Sequence, residues 1–209
     1  VPGQRKHLEI DPRTGVASGP NADNFSSYLG KIAKTHVSIL HATGDDVPEV
    51  KKNLLWHDVQ LKYDVPNTQD MRQKILSQIC KMWRDFKTRL TRVYVFGKRQ
   101  HENPSQNSSF IEEEWIQFRQ SRETEEWKDK RLAAQERQRL NDAPHVLSRG
   151  GYAKLEKKLR KDRADELGLE SQDLAPPPTR YEMWKAARTK SDGNMTFASA
   201  VAISQRIVS

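Results

Sequence analysis

Residues 71–99 read MRQKILSQICKMWRDFKTRLTRVYVFGKR, and this stretch decides the fold. Its apolar residues recur at steps of three and four, the pattern of one buried helical face. The stretch also holds nine Lys or Arg and one acid, Asp85, an excess of eight that equals the net charge of the whole chain, +8. We therefore expect a helix that packs on a core with one side and faces a polyanion with the other. The apolar face comprises Met71, Ile75, Ile79, Met82, Trp83, Phe86, Leu90, Val93 and Tyr94.

The composition of the 209 residues narrows the partners and the setting. A pI of 9.6 favours an acidic partner such as nucleic acid or an anionic membrane surface. No run of about 18 apolar residues occurs, so the sequence predicts no membrane span. The first ten residues, VPGQRKHLEI, lack an apolar signal core, and a single cysteine, Cys80, allows neither an intramolecular disulfide nor a multi-cysteine zinc site. These features favour an intracellular protein.

The pattern of the remaining chain predicts a mainly α protein. A tryptophan-anchored helical domain is followed by a helical C-terminal region that contains an extended charged helix. Turn residues and changes in composition set the boundaries. We predict an extended N-terminal arm at 1–20, a basic helical domain at 21–100, a polar hinge at 101–109 and a helical region at 110–209. The last region divides into a charged arm at 110–141, a basic helix at 151–167 and a helical pair at 179–208.

Local signals refine the first of these regions. The segment KHLEI favours a short strand within the arm, and residues 36–42 favour a strand or an extended segment. Helices are expected over 25–33 and from Glu49 to about Tyr63, the second burying Val50, Leu54, Leu55, Val59 and Trp56. In the charged arm, a change in the phase of the apolar residues predicts a bend near Ser121.

Basic residues on the helix predicted within residues 71–99 are the candidate DNA contacts. Residues 49–96 place Trp56 and Trp83 on two successive helices, an arrangement typical of small helical DNA-binding modules. The basic face of the second of these helices would contact DNA phosphates. The candidates are Lys74, Lys81, Arg84, Lys87, Arg92, Lys98 and Arg99. A second, weaker basic patch consists of Lys154, Lys157, Lys158 and Lys161. The nearby acids Glu156, Asp162 and Asp165 reduce its positive charge.

Signals for catalysis are missing from the sequence. No phosphate-binding glycine loop, dinucleotide fingerprint, zinc-protease motif or nucleophile elbow is present, and no two of the six histidines are four residues apart. A metal-dependent nuclease would need two or three converging carboxylates. The nearest candidates, Asp45, Asp46, Asp64 and Asp85, fit helix caps or solvated charges better. We therefore predict no catalytic residue, metal ligand or cofactor.

Several segments together resemble the plant transposase family of Ptta/En/Spm (CACTA) elements. The most specific are WRDFK at 83–87, EEWxxF at 113–118 and RGGYAKLE at 149–156, and the resemblance extends in the same order over about residues 11–208. It implies a chromosomal copy of a mobile-element protein that resides in the nucleus and binds DNA. The region resembles the helical, DNA-associated part of such proteins and not an acidic nuclease core. The family supplies no catalytic residues that match positions of this chain.

A different class of function is a helical interaction module. The arm at 110–140 and the apolar segment Phe197–Val208 would then mediate coiled-coil-like self-association or contact with another transposon-encoded protein. An assembling DNA-binding protein would satisfy both hypotheses.

Overall fold

The computed structural model describes residues 5–147 and 151–208 and shows a mainly α protein. The chain divides into two compact units between Asp129 and Lys130. The mainly α class is therefore confirmed. The first four residues of the expected arm, and Arg149 and Gly150 of the RGGYAKLE segment, lie outside the described residues.

The first unit contains short strands followed by helices. Strands β1 (Lys6–His7), β2 (Glu9–Ile10) and β3 (Ala17–Ser18) precede helices α1 (Ala22–His36) and α2 (Glu49–Lys62). Strand β4 (Tyr63–Asp64) leads into α3 (Gln69–Leu90), which continues as a π-helical turn, Thr91–Val95. A 3₁₀ turn (Pro104–Asn107), helix α4 (Glu112–Glu123) and the first residues of α5 (Glu125–Arg139) complete the unit.

Helix α3 is the central element of this unit. Thr68 caps its start by accepting a hydrogen bond from the Met71 amide at 3.2 Å. The predicted apolar face is confirmed, since all its members are buried or half-buried. Those from Met71 to Trp83 pack with α1 and α2, whereas Phe86, Leu90 and Tyr94 pack in a second cluster with α4. Trp83 is fully buried, and its indole Nε1 donates to the Ser38 carbonyl at 3.2 Å. That bond ties α3 to the segment that follows α1.

The N-terminal segment packs on the unit and does not extend away from it. KHLEI forms β1 and β2, so a strand is present where one was expected. Strand β1 pairs in parallel with β4, with Lys6 opposite Tyr63, while β2 and β3 form a hairpin. Leu8, which lies between β1 and β2, is buried in the hydrophobic core formed with α1, α2 and α3. Hydrogen bonds to a distant strand thus fix a segment that local sequence favours as an arm.

Two expectations for the first helices need correction. Residues 36–42, expected as a strand or an extended segment, form no strand: α1 runs to His36, and an irregular segment that starts at the extended Val37 inserts Ile39 into the core. In α2, Leu55, Trp56 and Val59 are buried as predicted, but Val50 and Leu54 are 71% and 52% exposed. Helical geometry places these two on the side of α2 that faces away from α3.

The 101–109 segment lies inside the first unit. Phe110, Trp115 and Phe118 form a second core cluster with Ile39, Leu90 and Val95, so α4 packs on the end of α3. Ser109 Oγ also donates to the Lys34 carbonyl. The boundary between the units therefore falls within α5, and the polar 101–109 segment does not separate two bodies.

The second unit begins with the part of α5 from Lys130 onward. It continues with α6 (Gly151–Leu167), a 3₁₀ turn (Gln172–Leu174), α7 (Arg180–Ala186) and α8 (Ala198–Val208). Arg163 on α6 binds the Pro176 carbonyl at 2.9 Å and Glu182 at 2.6 Å, which fixes the proline-rich segment and α7 against α6. A capping box between Thr179 and Glu182 starts α7. The hydroxyls of Tyr181 and Ser204 lie 2.7 Å apart and join α7 to α8.

Candidate nucleic-acid interface

An exposed basic face runs along α3 and its π-helical extension. Lys81, Arg84 and Arg92 are all exposed. Eleven residues separate the first from the last, a distance of roughly 16 Å along a helix that rises 1.5 Å per residue. Within the described residues, none of the three forms an ion pair with a carboxylate, so their charge is not neutralised locally. Lys98 is also exposed, just beyond the π-helical turn.

Asp85 and Arg89 belong to the same surface. Asp85 is exposed between the cations and lowers the positive potential there without pairing with any of them within the described residues. Arg89 is exposed and was not among the predicted contacts. Its position eight residues after Lys81 places it at the edge of the face, where a helical projection alone does not separate exposed from packed positions.

Two predicted contacts already have partners in the protein. The Lys74 ammonium binds the Asp70 carboxylate at 2.5 Å and the Pro12 carbonyl at 2.6 Å. Arg99 Nε binds Glu102 at 2.7 Å, and its guanidinium lies 4.7 Å from the centroid of the Tyr94 ring. Hydrogen bonding to Glu102 raises the pKa of Arg99. A phosphate would have to compete with these carboxylates, so both residues are weaker candidates than Lys81 or Arg84.

The prediction that Lys87 contacts phosphate is wrong. Only 6% of the residue is exposed. Its ammonium donates to the His41 carbonyl and lies 4.0 Å from the centroid of the Trp83 ring. Burial, with a smaller contribution from the nearby Arg122 charge, lowers the pKa of Lys87 to about 8. The irregular segment after α1 covers this side of α3 and withdraws the charge from solvent.

The second predicted patch lies on α6 in the second unit. Lys154, Lys157, Lys158 and Lys161 are all exposed there. Glu156, which seemed to dilute the patch, has a carboxylate oxygen 3.4 Å from Arg160 Nε. Asp162 and Asp165 remain exposed on the same helix. The four lysines thus remain candidate contacts on a helix that also presents acids.

The acids considered for metal binding do not converge. Asp46 accepts hydrogen bonds from the Thr43 amide at 2.7 Å and the Thr43 hydroxyl at 3.0 Å, which lower its pKa. Asp64 lies in β4, and Asp85 is exposed on α3. Across residues 5–147 and 151–208, no three His, Cys, Asp or Glu side chains are arranged to hold a metal ion.

The segments considered for self-association differ in burial. Helix α5 has no buried residue, and Leu132 is 58% exposed. Helix α4 ends at Glu123 and α5 begins at Glu125, so the chain bends close to the predicted Ser121. In α8, Ala200 and Ser204 are buried within the second unit, while Val201 and Ile207 are exposed. Self-association through these helices stays a prediction.

Comparison with family models, curated proteins and solved structures gives no match for this chain. No helix in the described part of the chain combines the length and apolar character needed to cross a membrane.

Proposed function

We propose that this protein binds duplex DNA through the exposed basic face of α3, as a nuclear, transposon-derived protein of the Ptta/En/Spm type that lacks its own nuclease core. One observation carries the proposal: Lys81, Arg84 and Arg92 are exposed on one element, and no carboxylate of the described residues pairs with them. Phosphate groups of a duplex would supply the missing counter-charge.

The structure limits how many phosphates this face could contact. Four of the nine basic residues in 71–99 are engaged within the protein, namely Arg72, Lys74, Lys87 and Arg99. Five exposed cations remain, Lys81, Arg84, Arg89, Arg92 and Lys98. If each neutralised one phosphate, log affinity would fall by up to about 4.5 per log unit of salt, since each contact contributes about 0.9.

The test compares three triple variants that each remove three positive charges. The first is Lys81→Gln/Arg84→Gln/Arg92→Gln on α3. The second is Lys154→Gln/Lys157→Gln/Lys158→Gln on α6. A control, Lys51→Gln/Arg137→Gln/Arg180→Gln, changes three exposed cations outside both patches. Fluorescence anisotropy with a labelled duplex would measure affinity between 50 mM and 300 mM salt. Over this range the Debye length falls from about 14 Å to about 6 Å.

The α3 variant should bind DNA about 100-fold more weakly than the parent protein at 0.15 M salt. The three contacts contribute about 2.7 to the salt slope, and 0.15 M lies about 0.8 log units below 1 M, so their loss lowers log affinity by about 2 at that salt concentration. Its salt slope should fall by about 2.7, while the control keeps both values. Circular dichroism should show unchanged helicity, since all three side chains are exposed. An α3 variant with the parent's affinity and slope would disprove the proposal. A loss confined to the α6 variant would place the interface on the second unit instead.

A further inference from the structure

A second basic feature of the first unit is a cleft of about 470 Å³ between α1, the end of α3 and the 3₁₀ turn that begins at Pro104. Its volume lies within the range typical of small-molecule sites, roughly 300–1,000 Å³. Three cations line it: Lys31 and Lys34 from α1 and Arg89 from α3. None of the residues that line the cleft is acidic.

The charges of the cleft have no counter-ion in the described part of the chain. Lys31, Lys34 and Arg89 are exposed, and no described carboxylate forms an ion pair with them. Ser27 and Ser108 also line the cleft, and their hydroxyls add hydrogen-bond donors, whereas the Thr35 hydroxyl donates to the Lys31 carbonyl at 3.1 Å. Cations and donors that surround one cavity suit an anion with several acceptor oxygens, such as a phosphate group.

Four apolar or aromatic residues also line the cleft, and packing fixes the two aromatic rings. Leu90 and Pro104 are buried, and Phe86 and Tyr94 are half-buried. The Phe86 ring lies 6.2 Å from that of Phe110, and the Tyr94 ring lies edge-on to Trp115 at 6.3 Å. These contacts hold both rings in place.

A cavity of this size exceeds what a phosphate ion needs. The Phe86 and Tyr94 rings offer a surface against which a nucleobase or sugar packs, beside the Lys34 ammonium 5.8 Å from the Phe86 centroid and the Arg99 guanidinium 4.7 Å from the Tyr94 centroid.

We propose that this cleft binds a nucleoside monophosphate unit, with its phosphate on Lys31, Lys34 and Arg89 and its nucleoside against Phe86 and Tyr94. The unit comes either from a free nucleotide or from the 5′-phosphorylated end of a DNA strand. The inference goes beyond duplex binding by α3, and it holds whether or not the α3 face binds a duplex.

The experiment uses the full chain and measures binding of dAMP, deoxyadenosine and inorganic phosphate by titration calorimetry. The cleft variant is Lys31→Gln/Lys34→Gln/Arg89→Gln, and the matched control is the α3 triple variant at Lys81, Arg84 and Arg92. Wild type and control should bind dAMP equally. The cleft variant should bind it at least roughly tenfold more weakly, because each lost hydrogen bond to a charged group contributes about that much.

The partial ligands test each half of the proposal. Deoxyadenosine and inorganic phosphate should each bind wild type at least roughly tenfold more weakly than dAMP, because each lacks one set of contacts. NMR of the aromatic side chains should show dAMP-dependent shifts of Phe86 and Tyr94, a readout that needs no variant. No binding of dAMP to wild type, or equal binding to the cleft variant, would refute the site. Phosphate that binds as tightly as dAMP would refute the nucleoside contact.

A final comparison separates the two sources of the nucleotide. A single-stranded oligonucleotide with a 5′-phosphate should bind more tightly than its 5′-hydroxyl counterpart if a strand end occupies the cleft. Equal affinity of the two, together with dAMP binding, assigns the cleft to free nucleotides. Loss of duplex binding in the α3 variant with retained dAMP binding would show that the two sites act separately.

Discussion

Replacing Lys87 by Met should change how the stability of the protein depends on pH. Burial beside Trp83 and repulsion by Arg122 lower the pKa of Lys87 from 10.5 to about 8, while Asp46 acts weakly in the opposite direction. In the unfolded chain this amine keeps its ordinary pKa. Between pH 8 and 10.5 the unfolded chain therefore binds more protons than the folded protein, so the free energy of unfolding rises with pH.

The size of this effect follows from the two pKa values. The fall from 10.5 to about 8 corresponds to about 3 kcal/mol, since each pKa unit is worth about 1.4 kcal/mol. That amount is the cost of keeping the buried amine charged well below pH 8. Between pH 7 and pH 9 the contribution of Lys87 to the free energy of unfolding should rise by about 1 kcal/mol, because part of the titration of the folded form lies outside that interval.

Urea unfolding at pH 7 and pH 9, followed by tryptophan fluorescence, would measure the effect. Cys80, Tyr28 and Tyr63 have pKa values that burial raises, so they lower stability as pH increases. They are present in both proteins, and the difference between wild type and Lys87→Met isolates Lys87. That difference should shift by about 1 kcal/mol in favour of wild type at pH 9. A difference that is equal at both pH values would refute the burial argument.

Three further predictions concern an acid on α3 and two glycines of the first unit. Asp85→Asn should raise duplex affinity about twofold, because it removes one exposed negative charge from the basic face. Fluorescence anisotropy would measure this change, with Asp165→Asn on α6 as the control. Weaker duplex binding by the Asp85→Asn protein would count against the α3 interface. Gly97→Ala should destabilise the protein by about 1–3 kcal/mol, because a Cβ there would lie 2.3 Å from the Arg92 carbonyl oxygen. By contrast, Gly30→Ala inside α1, where a Cβ meets only Met82 Sδ at 3.7 Å, should stabilise it by about 0.5–1 kcal/mol. Thermal unfolding measures both, and a Gly97→Ala protein as stable as Gly30→Ala would contradict the steric argument.

Local periodicity was sufficient for the helices whose apolar residues form one stripe. In α3 the residues from Met71 to Leu90 follow one such stripe, so both the helix and its buried face could be predicted. Helix α2 carries two stripes: Leu55 and Val59 on one side, and Val50, Leu54 and Leu61 on another. Both have helical spacing, and only the position of α3 decides that the first is buried. Sequence periodicity therefore identifies this helix without identifying its buried face.

Contacts between distant segments account for most of the other differences. The pairing of β1 with β4 joins Lys6 to Tyr63, and nothing in either segment specifies that register. The 101–109 segment is polar, but the adjacent Phe110 packs on Leu90 and Val95 and holds it inside the first unit. The cleft near Arg89 combines α1, α3 and the 3₁₀ turn, so its residues are far apart in sequence. Composition and local sequence patterns therefore do not predict that these residues line one cleft.

The five residues WRDFK at 83–87 show why a count of charges does not define an interface. Successive side chains project about 100° apart on a helix, so five of them sample its whole circumference. Trp83 and Lys87 point into the core, Arg84 and Asp85 are exposed, and Phe86 lines the cleft. Lys87 and Arg84 differ little in charge, but only one of them is open to a ligand. The burial of Lys87 removes it from the phosphate-binding surface, and its desolvation makes it the group through which pH should affect folding. The number of exposed, unpaired cations, and not the net charge of the stretch, therefore sets the expected salt dependence of DNA binding.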